Sequence, residues 1–167
     1  MSKFIEGTEM KDLVTRVGRK GFKDKLGMKG RISMIDNKTG LVLAQMTNLV
    51  TTVGKAQAAK RWVGVTANPM DYIAIGEGTA DPLVGDTALG SEITTGGGAR
   101  AQASVSTTTN TAKAELTTNF TAPFDVSEIG WFDAASDGNM GARQKFGAWA
   151  VVDGDSVTWK WEMAFGS

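Results

Sequence analysis

Residues 126–165 read V-S-E-I-G-W-F-D-A-A-S-D-G-N-M-G-A-R-Q-K-F-G-A-W-A-V-V-D-G-D-S-V-T-W-K-W-E-M-A-F, and this stretch decides the fold class. Two turn signals, S-D-G-N and V-D-G-D, separate three apolar runs. In the last run apolar and polar residues alternate, which puts the apolar side chains on one face of a strand. They are Val157, Trp159, Trp161, Met163 and Phe165. This alternation predicts a sheet core, with Trp159 and Trp161 buried rather than exposed as a carbohydrate-stacking surface.

The rest of the chain adds further strands and one helix. Residues 31–50 predict a β-hairpin around the turn signal D-N-K-T-G at residues 36–40. A threonine cap and helical spacing predict one helix near residues 51–63, with Trp62 anchoring its end. A short strand at 71–75, a threonine-rich hairpin and three final strands bring the count to about eight. We predict a mainly β domain over residues 31–167, built as a β-sandwich or jelly-roll-like fold.

Residues 1–30 differ from this domain in charge. The whole chain has zero net charge, but Met1–Arg31 holds nine basic and four acidic residues, so the remainder is acidic. Met10, Leu13, Val14 and Val17 fall at helical spacing within this segment. We predict an extended basic N-terminal arm with a short helix. Two placements stay open for that helix, on its own domain or on a neighbouring subunit.

On a neighbouring subunit, the arm would supply partner-binding residues of two kinds. The apolar anchors are Met10, Leu13 and Val17. The basic residues, which aid encounter and orientation, are Arg16, Arg19, Lys20, Lys23 and Lys25. Such a cluster is alternatively a solvated surface, a contact for an acidic protein surface or a contact for nucleic acid. Phe22 is the one aromatic residue beside the cluster, which disfavours single-stranded nucleic acid.

A long loop follows the strand at 71–75. Glycines and one proline interrupt residues 76–90, so regular structure is not expected there. Loops of this length are functional or are held in place by an assembly. The polar and apolar residues that we take as candidate partner contacts are Glu77, Asp81, Leu83 and Asp86.

The composition argues against enzyme chemistry. The chain has no cysteine and no histidine, which removes disulfides, thiolate metal sites, the ordinary catalytic triads and the commonest general base. Gly54-Lys55 is followed by Ala56, so a P-loop is absent, and the Asp-Gly turns lack calcium-loop spacing. The chain has no run of eighteen apolar residues, so a membrane span is not predicted. We predict no catalytic, cofactor or metal site, and no membrane partner.

Three segments resemble structural proteins of tailed bacteriophages. In residues 72–93, a strand ending in G-x-G-T is followed by a proline and then by G-D-T-A-L and an acidic residue. Residues 126–143 are similar to a downstream segment with S-E-[I/V]-G, a small-residue turn and x-A-R. Residues 154–165 are similar to the last strand of that family, and a helix start at Asn48, Val50 and Gly54 also fits. The resemblance spans about two-thirds of the chain, and residues 1–31 lie outside it.

This resemblance implies a virion protein, because such domains occur in small head proteins and in tail fibres. The chain is short, has no fibre repeat and carries a basic arm, which favours a head decoration (cement) protein. Its expected partners are the major capsid protein and further copies of itself, as a trimer or dimer. Assembly would occur in the cytoplasm of the bacterial host and place the protein on the capsid exterior. The alternatives are a tail, baseplate or fibre-tip protein with a receptor-binding role, and an internal head protein that contacts DNA.

Overall fold

The computed structural model describes residues 27–166, and in this range the chain is mainly β, as predicted. The range contains nine strands and one helix, instead of the eight strands expected. The elements are β1 Gly27–Asp36, β2 Val42–Val50, α1 Thr52–Trp62, β3 Tyr72–Gly76, β4 Ala101–Gln102, β5 Ser104–Thr108, β6 Thr111–Asn119, β7 Phe124–Phe132, β8 Met140–Val151 and β9 Ser156–Gly166. The first hairpin therefore begins at Gly27, four residues earlier than predicted.

All nine strands belong to one nearly closed antiparallel sheet, in the order β4-β3-β7-β8-β2-β1-β9-β6-β5. The two ends of this order, β4 and β5, are consecutive in the chain and are separated by Ala103 alone. The first strand of the predicted threonine-rich hairpin, at residues 101–106, divides at Ala103 because its two halves pair with β3 and β6. Such a change of neighbour turns a corner and brings the two ends of the sheet together.

The core lies inside this curved sheet. On β9 four of the five predicted residues are buried, with Trp159 and Trp161 exposed by 1% and 0% of their surface, and Phe165 near the strand end is partly buried. The ring centroids of Trp131 on β7 and Trp161 on β9 lie 5.5 Å apart, although three strands separate β7 from β9 in the sheet order. The sheet therefore folds back on itself, and burial of each of these large side chains contributes roughly 1.5–3 kcal/mol.

A second apolar cluster covers the outer face of β7. Ile129 and Trp131 point into the main core, whereas Phe132 is buried with Ala74, Leu89 and Met140 on the other side. Leu89 belongs to the long loop after β3, so this loop packs against the sheet. Both faces of β7 are consequently buried, which explains its almost continuous burial from Val126 to Phe132.

Helix α1 begins as predicted and ends differently. Thr51 is the N-cap, and its Oγ1 accepts a hydrogen bond of 2.9 Å from the Gly54 amide. Gly54 lets the helix approach β8, because a Cβ at that position would overlap the carbonyl of Gly141. The buried residues of the helix are Gly54 and Gln57, whereas Val53, Ala56 and Val63, whose helical spacing predicts the inward face, are not buried. Trp62 is 83% exposed, so the prediction that it anchors the helix end is wrong.

Candidate functional site

The long loop after β3 is held by one buried carboxylate. Glu128 is the central residue of β7, within the sequence S-E-I-G-W-F, and has no exposed surface. Its two oxygens accept hydrogen bonds from the backbone amides of Gly78 at 3.0 Å, Gly90 at 3.1 Å and Ser91 at 2.7 Å. A single side chain thus fixes both ends of the loop.

Arg143 on β8 completes this arrangement. Its Nε and Nη2 donate to Glu128 Oε2 at 3.1 and 2.7 Å, and its Nη1 donates to Asp86 Oδ2 at 2.6 Å. Nη2 also donates to the carbonyl of Ala80 at 3.2 Å. We call Asp86, Glu128 and Arg143 the ion-pair cluster. The guanidinium side chain is only 4% exposed, so it bridges β7 and the middle of the loop in a largely dry environment.

The charges of the cluster are stabilised by their partners. Burial alone raises the pKa of Glu128, but the amides of Ser91 and Gly90 and the Arg143 guanidinium outweigh burial and bring this pKa below its ordinary value. The Leu83 amide is the main cause of a lowered pKa at Asp86, with Arg143 adding to it. Burial lowers the pKa of Arg143, and the two carboxylates together raise it above its ordinary value. All three groups are therefore ionised at neutral pH.

The ion-pair cluster explains why Gly78 is a glycine. A Cβ on Gly78 would overlap the carboxylate of Glu128, which occupies the space that a side chain would need. The G-x-G-T, G-D-T-A-L, S-E-I-G and A-R sequences each contribute a residue to this one arrangement. Residues separated by up to 65 positions along the chain thus form a single structural unit.

The predicted loop residues take up different positions around this unit. Leu83 is 65% exposed beside Val84, which is 52% exposed, and together they form the apolar loop tip. The Asp81 carboxylate pairs with Lys145 Nζ at 2.7 Å on the surface, and Glu77 Oε1 accepts from the Asp125 amide at 2.9 Å. Asp86 is the member of the set whose carboxylate is engaged inside, in the ion-pair cluster. Their roles as partner contacts stay predictions.

A hydrogen bond of 2.8 Å from the Thr52 amide to the Val84 carbonyl joins the loop tip to the start of α1. The tip is therefore braced from two sides, by α1 and by the ion-pair cluster below it. An apolar surface held in this way is preorganised for contact, because little conformational entropy is lost when a partner binds.

A second buried arginine was not predicted from the sequence. Arg100 forms a two-point ion pair with Glu92, at 2.9 and 2.6 Å, and its guanidinium lies 3.6 Å from the centre of the Phe132 ring. Its Nη1 also donates to the carbonyls of Ala134 and Asp137. Arg100 thereby ties the turn between β7 and β8 to the loop. The one sequence feature that could have indicated this site is the basic residue at the end of the T-T-G-G-G-A-R run.

The predicted arm residues lie outside the described range. They are Met10, Leu13, Arg16, Val17, Arg19, Lys20, Lys23 and Lys25. Within residues 27–166, no group of three or more acidic side chains is arranged to hold a metal ion, and no helix has the length and apolar character needed to cross a membrane.

Comparison with known proteins gives no assignment: no family model matches this chain, and a search of curated proteins finds no match. The proposal below therefore depends on the sequence motifs and on the geometry described above.

Proposed function

We propose that this chain is a bacteriophage head decoration protein that binds assembled major capsid protein and stabilises the shell from outside. The observation that carries the proposal is the ion-pair cluster. The phage-like motifs lie in separate parts of the sequence, and their residues Gly78, Asp86, Glu128 and Arg143 meet at one place. This convergence supports treating the motifs as one functional design rather than as chance matches.

The finer architecture that we propose is a jelly-roll-like β-sandwich. Its support is the contact between Trp131 and Trp161 across the interior and the corner at Ala103, where one segment pairs with both halves of the sheet. A sandwich of this kind presents loops at its ends, and the apolar loop tip, Leu83 and Val84, is one such exposed loop.

Shell stabilisation by such a protein follows from mass action. A protein that binds the assembled shell and not its separated subunits stabilises the shell by its own binding free energy. Contacts between neighbouring copies, as dimers or trimers, would strengthen individually weak attachments by raising the effective concentration. The apolar loop tip and the arm residues Met10, Leu13 and Val17 are the proposed contacts, and the basic arm residues would guide encounter.

The experiment measures binding to expanded empty shells that lack this protein. We expect Leu83→Asp to weaken binding at least about tenfold, since a charge would be buried at the centre of a contact. Leu41→Asp is the matched control, because Leu41 is 63% exposed at the distant β1–β2 turn. Equal occupancy by both variants would exclude the loop tip as a contact.

Removal of residues 1–26 tests the arm separately. The deletion should stop at residue 26, because Gly27 pairs with Gly166 in β1 and β9. We expect a folded domain that no longer coats shells, and coating at normal occupancy would exclude the arm. Attachment to DNA-free shells that resists added salt would separate this proposal from DNA contact, which weakens steeply with salt.

A further inference from the structure

An apolar groove of about 310 Å³ opens at the end of the sheet where β1 begins and β9 ends. Its lining includes Met28 of β1, Met163 and Phe165 of β9, Ala58 of α1, and Met70. Trp131 also lines the groove, and its Nε1 donates to the Met70 carbonyl at 2.8 Å. The indole N–H of this tryptophan is thereby hydrogen-bonded. The surface that lines the groove is predominantly apolar.

The chain itself enters at the rim of this groove. Met28 lines the groove, and Gly27 is the first described residue, paired with Gly166. Residues 1–26 are therefore attached directly beside the opening. A segment tethered at this point has a high effective concentration at the groove, in the millimolar range for short flexible linkers.

Apolar character and charge select one part of that segment. A groove with a predominantly apolar lining suits apolar side chains, and Met10, Leu13 and Val17 fall at helical spacing in this segment. Helix α1, which contributes to the lining, carries basic side chains and no acidic one. Residues 6–17 hold three acidic and two basic residues, whereas the rest of residues 1–26 hold one acidic and five basic residues.

We propose that the groove is the docking site for residues 6–17 of the same chain, with Met10, Leu13 and Val17 inserted between α1 and β9. The net negative charge of residues 6–17 suits the basic side chains of α1. If the proposed attachment to shells is correct, the same three apolar side chains cannot occupy the groove and the shell together. Docking would then hold the arm on its own domain until a shell competes for it, a consequence that rests on the proposed function.

Engineered cysteines test the docking in free protein, without any shell. The chain has no native cysteine, so Leu13→Cys with Ala58→Cys places one thiol on the segment and one on the groove wall. Leu13→Cys with Leu41→Cys is the control. Leu41 lies beyond the far end of β1, roughly 30 Å from Gly27 at about 3.3 Å per residue. An extended chain of fourteen residues reaches roughly 46 Å, so an undocked segment reaches both positions.

With a short bis-maleimide and dilute protein, we expect intramolecular cross-linking to Ala58→Cys at least about tenfold faster than to Leu41→Cys. Adding Met10→Asp and Val17→Asp to the first pair should lower its rate to that of the control. Equal rates for the two pairs would overturn the proposal. Cross-linked dimers in place of monomers would also overturn it and would assign the groove to the segment of a second copy. If the cross-linking rates are as expected but the unmodified protein does not bind shells, the proposed function alone is contradicted.

Discussion

Substitution of Glu128 by glutamine removes the charge that organises the long loop while keeping the shape of the side chain. The glutamine amide presents one donor group to a site that contains only donors: three backbone amides and the Arg143 guanidinium. Arg143, 4% exposed, keeps one carboxylate partner in Asp86. Because removing one member of a buried ion pair costs about 3–5 kcal/mol, and because Arg143 retains Asp86, we expect a loss of about 3 kcal/mol.

Urea denaturation of wild type and Glu128→Gln measures this loss, and thermal denaturation should show a fall in Tm of roughly 6–12 °C. Hydrogen exchange of the Gly78 and Ser91 amides should accelerate more than exchange in β9, because the loop loses its anchor first. Glu162→Gln is the control, since Glu162 pairs with Arg31 at 2.6 Å on the surface and should lose less than about 1 kcal/mol. A loss for Glu128→Gln no larger than this control would refute the role assigned to the ion-pair cluster.

Gly78→Ala should cost about 1–3 kcal/mol in urea denaturation because of overlap with Glu128, whereas Gly85→Ala, which has open space around its Cβ, should change stability by less than about 0.5 kcal/mol. Thr51→Ala should cost about 0.5–2 kcal/mol through loss of the helix cap, with the exposed Thr52→Ala as the control; equal effects would contradict the assigned cap. Since the folded-state pKa of Glu128 lies below its ordinary value of 4.5, its contribution is present above that pH and is lost as pH falls through the folded value. Stability measured below pH 4.5 should therefore fall more steeply in wild type than in Glu128→Gln, and parallel curves would contradict this.

The core strand and its orientation could be predicted from the sequence because alternation acts locally. Val157, Trp159, Trp161 and Met163 are all at most 4% exposed, as the period of two required. A threonine cap at Thr51 or Thr52 could also be predicted, and the structure selects Thr51. The turns at Gly40 and Gly154 were predicted from their Asp, Asn and Gly residues, and both glycines adopt a positive φ. These features depend on residues that are close in the chain. Strand alternation, helix capping and turn formation are each determined by such neighbouring residues.

Features that depend on distant residues escaped prediction. Ala103 carries no turn signal, so the corner that nearly closes the sheet follows only from the pairing of β4 with β3 and of β5 with β6. Asp86 was assigned to a partner surface from its charge alone, while its contact with Arg143 depends on how β8 packs beneath the loop. A glutamate and an arginine within apolar strand sequences were the available signal, because buried charges of that kind are almost always paired.

The location of the chain in the virus particle tests the central claim most directly. A cryo-EM map of the intact particle, searched for the nine-strand domain of residues 27–166, supplies that measurement. We predict this domain on the outer surface of the head, repeated at equivalent positions of the shell lattice, with the loop tip at Leu83 against the major capsid protein. Density for the domain confined to the tail or baseplate, or to the interior of the head, would contradict it.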